Sequence, residues 1–193
     1  MPSNKIQVTD YNPDWRIQFA SLKEALSKHL FQHIYSIEHI GSTSVVGLAA
    51  KPIIDMDIVI ENDKRIKAQV IALLQPLGYH HIGNLGISGR EAFRRESDLV
   101  PLDGSNRIWP EHHLYLCENG SQGLRNHLAL RDFLRTTPDA VAAYGNLKKE
   151  LAARFPNDID AYVDGKTDFI ISILKQTGMQ DSEADKIAEE NKL

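Results

Sequence analysis

Residues 39–60 read HIGSTSVVGLAAKPIIDMDIVI, and no other stretch limits the fold of the chain as strongly. Between 53 and 60, Ile54, Met56, Ile58 and Ile60 alternate with Ile53, Asp55, Asp57 and Val59. Side chains in a strand point alternately to opposite faces, so Asp55 and Asp57 share one face of a strand apolar enough to be buried. Two carboxylates this close repel when both are ionised, and a cation between them removes the conflict. Mg²⁺ is commonly held by one or two carboxylates together with substrate phosphates. The upstream Gly41-Ser42 supplies a place for those phosphates. Glycine lets the backbone approach closely, and a helix opening behind it turns free N–H groups towards an anion. The pattern therefore predicts a strand, a tight Gly-Ser turn, a short helix and a second strand carrying both aspartates. Taken singly, an Asp-x-Asp is a solvated edge-strand face and a Gly-Ser is a common turn. Their order in one run is what favours function.

The 193 residues suit one domain with an appended helical part. A hydrophobic fraction of 42% supports a full core. The formal charge is −4, but residues 177–193 hold five acids and two lysines, so the body carries about −1. A near-neutral body argues against capture of an extended nucleic acid and leaves room for a local basic pocket. The single cysteine, Cys117, excludes an internal disulfide framework and suits a reducing compartment. Its ordinary reading is a small buried residue in a strand. The start lacks a signal-peptide pattern and no apolar run nears twenty residues, so the expectation is a cytoplasmic protein with no membrane partner.

Periodicity assigns the remaining elements. Ile6-Gln7-Val8 is a short strand candidate. Trp15, Phe19, Leu22, Leu26 and Leu30 recur at helical spacing, giving an amphipathic helix over 15–30 with Trp15 in the core. A strand over 35–40 leads into Gly41, with His39 a hydrogen-bonded structural residue. A helix over 62–77 is capped by Asn62 or Asp63 and ends at Gly78. After a short strand over 79–82 and a glycine-rich loop over 83–89, Arg90, Arg94 and Arg95 are either ordinary surface arginines or a phosphate clamp. In the strand candidate over 108–118, His113 and Tyr115 share one face and Leu114 and Leu116 the other. Beside the Asp-x-Asp strand, this brings His113 towards the aspartates, and only one of His112 and His113 can face them. From Gly120 the period is helical, and three helices follow, ending near 176. The arrangement is a mixed α+β domain: a core over 1–118, a three-helix part over 119–176 and a polar tail over 177–193.

With these motifs in hand, the chain resembles the GrpB-like family. The resemblance rests on Glu38 through Asp55, the Trp15 segment, Gly89-Arg90 with Phe93-Arg94-Arg95, His112-His113-Leu114, and His127 through Arg135. Tyr144, Leu147, Lys148 and Leu151, and then Tyr162, Lys166, Phe169 and Ile170, extend it to about residue 176. It implies the polymerase-beta-like nucleotidyltransferase superfamily, with a small mixed sheet flanked by helices, a Gly-Ser turn and a metal-binding Asp pair. Some relatives are similar to the C-terminal extension of bacterial dephospho-coenzyme A kinases, a hint of coenzyme A metabolism.

The function expected on this basis is metal-dependent nucleotidyl transfer to an unknown acceptor. Asp55 and Asp57 hold Mg²⁺ or Mn²⁺. Gly41, Ser42 and Thr43 receive the phosphates of a nucleoside triphosphate. Lys51, Arg90 and Lys166 neutralise them, and His113 completes the metal shell or acts as a base. The superfamily usually adds a third carboxylate, and here the candidate strand offers His113 and Tyr115 instead. The alternatives are a nucleotide- or cofactor-binding module without turnover, and an interaction protein with a relic site.

Overall fold

The computed structural model describes residues 5–180 and Glu183. A helix, α1 (Asp14–Leu30), enters the first strand, β1 (Ser36–Ile40), and then the Gly-Ser turn. The second strand, β2 (Ile54–Ile60), is followed by α2 (Lys64–Leu74), β3 (Tyr79–His81), β4 (Arg90–Arg95) and β5 (His112–Glu118). Three helices follow: α3 (Gln122–Thr136), α4 (Pro138–Arg154) and α5 (Ile159–Gln176). The strands form one mixed sheet in the order β1-β2-β5-β4-β3, with β2 and β5 parallel and the other pairs antiparallel. The expected α+β class, with a small mixed sheet and flanking helices, is the class observed.

The alternation within β2 decides the layers. Ile54, Met56, Ile58 and Ile60 pack with Leu114 and Leu116 of β5 against Trp15, Leu22 and Leu26 of α1 and Val70 and Leu74 of α2. The opposite face carries Asp55, Asp57 and Val59, and there Val59, Cys117 and Tyr115 meet Leu124 and Leu128 of α3. The C-terminal helices have their own apolar contacts. Leu134, Tyr144 and Ile173 enclose Val45 and Leu48, just after the Gly-Ser turn. Gly165 lets α5 lie close to α4, because a Cβ there would stand 2.5 Å from Leu151 Cδ2.

Three local expectations change. The short helix after Gly41 is a single 3₁₀ turn, Ser42–Ser44. Three residues give no run of aligned peptide dipoles, so an anion must be held there chiefly by side chains. Ile6–Val8 forms no strand; the segment is tied by a lone bridge between Thr9 and Ala50 and by the Ile6 N–H to Pro156 O. Helix α2 begins at Lys64, capped by the Asp63 carboxylate, and stops at Leu74. The expected tail lies, beyond 180 and apart from Glu183, outside the described residues.

Candidate functional site

Strand β2 delivers both aspartates to the face covered by the C-terminal helices, and each is met by a histidine. His113 of β5 stands opposite Asp55 in the parallel ladder, and its Nδ1 lies 2.9 Å from Asp55 Oδ1. His127 of α3 places its Nδ1 2.8 Å from Asp57 Oδ2. A carboxylate only accepts, so both rings carry their proton on Nδ1, leaving each Nε2 as an acceptor in the neutral form. The two pairs differ in setting. The Asp57 side chain is 0% exposed, whereas His113 is 48% exposed. Asp57 Oδ1 is buried and has no hydrogen-bond partner among the described residues. Beside it the Cys117 thiol is held far above its ordinary pKa by burial and by the Asp57 charge, which keeps it protonated and unsuited to nucleophilic chemistry.

The Gly-Ser turn is built with the same economy. Gly41 has φ +66°, and a Cβ there would overlap the Asp55 carboxylate. Ser44 Oγ donates to Gly41 O at 2.7 Å and closes the turn. Thr43 donates to Ile53 O, so its hydroxyl accepts from His39 Nε2 at 3.0 Å. Burial lowers the His39 pKa to about 4, consistent with a neutral ring stacked on Phe19. Two arginines of α3 hold this edge: Arg131 donates to Glu38 and His39 O, and Arg135 donates twice to Ser44 O.

The remaining Ser42 hydroxyl is where the helical part reaches the turn. Lys148 of α4, 2% exposed, donates to Ser42 Oγ at 2.8 Å. Its ammonium lies 4.4 Å from the centre of the Tyr144 ring. Lys166 of α5 and Lys51 both lie over Tyr162, at 4.5 and 5.8 Å. Among the described residues, none of these three lysines has a carboxylate within ion-pair distance. Burial, and then the charge of Lys166, lowers the Lys148 pKa to about 7; burial, and then Lys51, lowers that of Lys166 to about 8. The Asp55 charge opposes both shifts in part, but a buried ammonium without a contacting counter-anion is costly. Beside it opens a cavity of about 230 Å³, lined by Gly41, Ser42, Asp55, His127, Arg131 and Lys166, with Tyr115 in its wall.

Of the residues singled out from sequence, Gly41, Ser42, Asp55 and Lys166 line this cavity, and Lys51 shares the Tyr162 ring with Lys166. Asp57 lies under His127, and His113 flanks Asp55. Thr43 is buried in the turn's own hydrogen bonds. Arg90 packs on the Tyr115 ring at 4.8 Å and lies outside the lining, with its buried Nε unpaired. Lys148, His127 and Arg131 were given no role by the sequence reading. Their signals were present: 127, 131 and 135 recur every four residues along α3, and Lys148 follows Tyr144 by four on an otherwise apolar stripe.

The donor chemistry suits a hard divalent cation at Asp55, which lines the cavity, while Asp57 lies buried behind it. Each histidine occupies one oxygen of its aspartate, leaving Asp55 Oδ2 and the orphaned Asp57 Oδ1. Among the described residues no three His, Cys, Asp or Glu side chains converge on a metal position. The rest of the coordination sphere would fall to phosphate oxygens and water, the usual Mg²⁺ arrangement.

A mixed sheet with an aspartate pair on an inner strand, a Gly-Ser turn at the end of its neighbour and helices on both faces is a nucleotidyltransferase-type fold. The Cid1 poly(U) polymerase bound to MgGTP shares it: TM-score 0.53 at 17% identity, over 76% of this chain and 45% of that one. Within that class, the chain belongs to the GrpB family, whose profile, described as GrpB protein, matches residues 5–176. The crystal structure of the conserved protein GrpB from Enterococcus faecalis is 36% identical, with a TM-score of 0.74, over 88% of this chain and 96% of that one. The YqkA protein of Bacillus subtilis is also 36% identical over 88% of this chain, which spans only 46% of YqkA's length. No described helix is long and apolar enough to cross a membrane.

Proposed function

We propose that this site binds the polyphosphate of a nucleoside triphosphate together with Mg²⁺ or Mn²⁺, and that the chain transfers a nucleotidyl group to an acceptor. The observation carrying this reading is a set of lysines at the turn: Lys148 on Ser42, Lys166 in the wall with Ser42 and Asp55, and Lys51 sharing the Tyr162 ring with Lys166, with no carboxylate among the described residues in ion-pair contact with any of them. Such a set is unfavourable empty and favourable around a polyanion, where charge-assisted hydrogen bonds are the strong ones.

Each residue then has a defined task. Ser42 accepts from Lys148 and keeps its own proton to donate to a phosphate oxygen. Lys148 and Lys166 neutralise the terminal phosphates, and Gly41 leaves its Cα side clear for Asp55. Asp55 and Asp57 would hold the cation, which supplies charge neutralisation at the phosphates and lowers the barrier to attack on phosphorus. His113 and His127 fix the two carboxylates in place. Positioning and electrostatics supply most of the catalysis in phosphoryl chemistry, which suits a site whose one cysteine is an inert thiol.

A specific observation also favours a second reading, a nucleotide-binding module without turnover: among the described residues no third carboxylate joins the pair, and Asp57 is sealed under His127. Melting temperature with ATP, GTP, CTP and UTP, with and without Mg²⁺ or Mn²⁺, separates the two. A metal-dependent rise lost in Asp55→Asn supports transfer. A rise indifferent to metal and to Asp55→Asn favours the module, and no rise with any triphosphate contradicts both.

A further inference from the structure

A second depression adjoins the site. It is a groove of about 570 Å³ along β4 and the start of β5, bordered by the β3–β4 loop, with no side chain from α3, α4 or α5 in its lining. The groove and the phosphate cavity share Tyr115, and His113, bonded to Asp55, stands in the groove. A molecule lying in it therefore approaches Asp55 through His113 and, unlike the phosphate cavity, meets none of the three lysines.

The lining states what kind of molecule fits. It carries two arginines: Arg94 pairs with Glu96 at 3.1 Å, and Arg95 donates to Ser97 O. Three acids, Glu96, Asp98 and Glu111, line the same groove. A nucleic acid strand needs a track of Lys and Arg for its phosphates, and here three acids outnumber two arginines. What it does offer is apolar. Ile82 and Leu85 stand at its rim, with Leu85 60% exposed, and Phe93 contributes from the wall.

Leu85 adds an independent observation. It sits in the left-handed region at φ +48°, between Gly83 and Gly86, which are also at positive φ and meet nothing where a Cβ would be. Asn, Asp or Gly suits such a position, and a leucine is strained there. Strain kept at a site rim is a pointer to function.

We propose that this groove holds the acceptor, and that the acceptor is a small organic alcohol with an apolar body and no net negative charge. This rests on the nucleotidyl-transfer reading above. In the reaction, the acceptor oxygen bonds to the α-phosphorus of the triphosphate. The bond from that phosphorus to its bridging oxygen breaks and pyrophosphate leaves. The hydroxyl proton passes to solvent through the open groove.

The test uses the full chain and two probes: Nile red, a neutral apolar dye, followed by fluorescence, and 5′-fluorescein decauridylate, followed by anisotropy. Ile82→Asp and Leu85→Asp change exposed rim positions, and aspartate tolerates the Leu85 backbone. Melting with ATP and Mg²⁺ is recorded on the same samples, so failure of the triphosphate reading appears there, separately from the groove. The proposal expects saturable Nile red binding weakened tenfold or more in the double variant, with the ATP response retained and decauridylate unbound. Decauridylate binding that is lost in Arg94→Glu would overturn it. Nile red binding that is absent, or unchanged in the double variant, would overturn it equally.

Discussion

The ammonium of Lys148 lies 2.8 Å from the hydroxyl of Ser42, which stands 106 positions earlier in the chain. The bond joins helix α4 to the turn after β1 and places a buried cation where, among the described residues, no carboxylate contacts it and the Asp55 charge offsets only part of the burial. Lys148→Met keeps the length and apolar stem of the side chain and removes the charge. The variant is expected to melt no lower than the parent, because the costly buried charge is gone. The stabilisation by ATP and Mg²⁺ is expected to fall at least tenfold in apparent affinity. Calorimetric melting with and without nucleotide reads both effects.

The same lysines set a pH dependence. Lys148 is lowered to about 7 and Lys166 to about 8 from an ordinary value of 10.5. At a pH between the folded and unfolded values, the unfolded chain binds the proton and the folded chain does not. Stability therefore rises with pH through that window, by up to about 1.4 kcal/mol per pH unit for each lysine. The penalty is fully present below pH 7 and fades towards pH 10.5. Urea denaturation between pH 6.5 and 9.5 is expected to show this rise, flattened in Lys148→Met. A bound polyphosphate favours the charged lysines, so binding at pH 8 takes up protons, measurable by titration calorimetry in two buffers.

Of the two histidine–aspartate pairs, one is sealed and one is open. His127→Ala leaves the wholly buried Asp57 carboxylate unpaired and is expected to cost about 3–5 kcal/mol. His113→Ala removes the half-exposed partner of Asp55 and is expected to cost under about 1 kcal/mol. Chemical denaturation of the two variants side by side tests the contrast. Equal costs would contradict the assigned burial.

Gly41→Ala confronts two obstacles, a left-handed backbone and an overlap with Asp55. The expected loss is about 1–3 kcal/mol. Because the added methyl displaces the Asp55 carboxylate, the metal dependence of nucleotide binding is expected to weaken in the same variant, read by melting with and without Mg²⁺.

Much of this architecture was legible in the sequence. Period-two alternation put Asp55 and Asp57 on one face and Met56 and Ile58 on the other, as the layers require. The same alternation separated His113, which meets Asp55, from His112, which is buried against Tyr79. Helical spacing located α1, α3, α4 and α5. What could not be read was how far-apart segments meet. His127 reaches Asp57 across 70 positions, because Leu124 and Leu128 of α3 pack on the sheet face that carries Asp57. Lys148 lies within an apolar stripe and looks like a solvated residue until α4 is placed on the turn. Arg90 looked free to clamp phosphate, and its stacking on Tyr115 depends on a strand pairing invisible in one sequence.

The central claim is that Ser42, Asp55 and the three lysines form a metal-dependent polyphosphate site. Titration calorimetry of ATP with and without Mg²⁺, on the parent chain, Lys148→Met and Asp55→Asn, tests it most directly. The account predicts saturable binding that tightens with Mg²⁺, a drop of tenfold or more in Lys148→Met, and loss of the Mg²⁺ effect in Asp55→Asn. Binding that is equally tight in all three proteins, or absent from the parent with every common triphosphate, would contradict it.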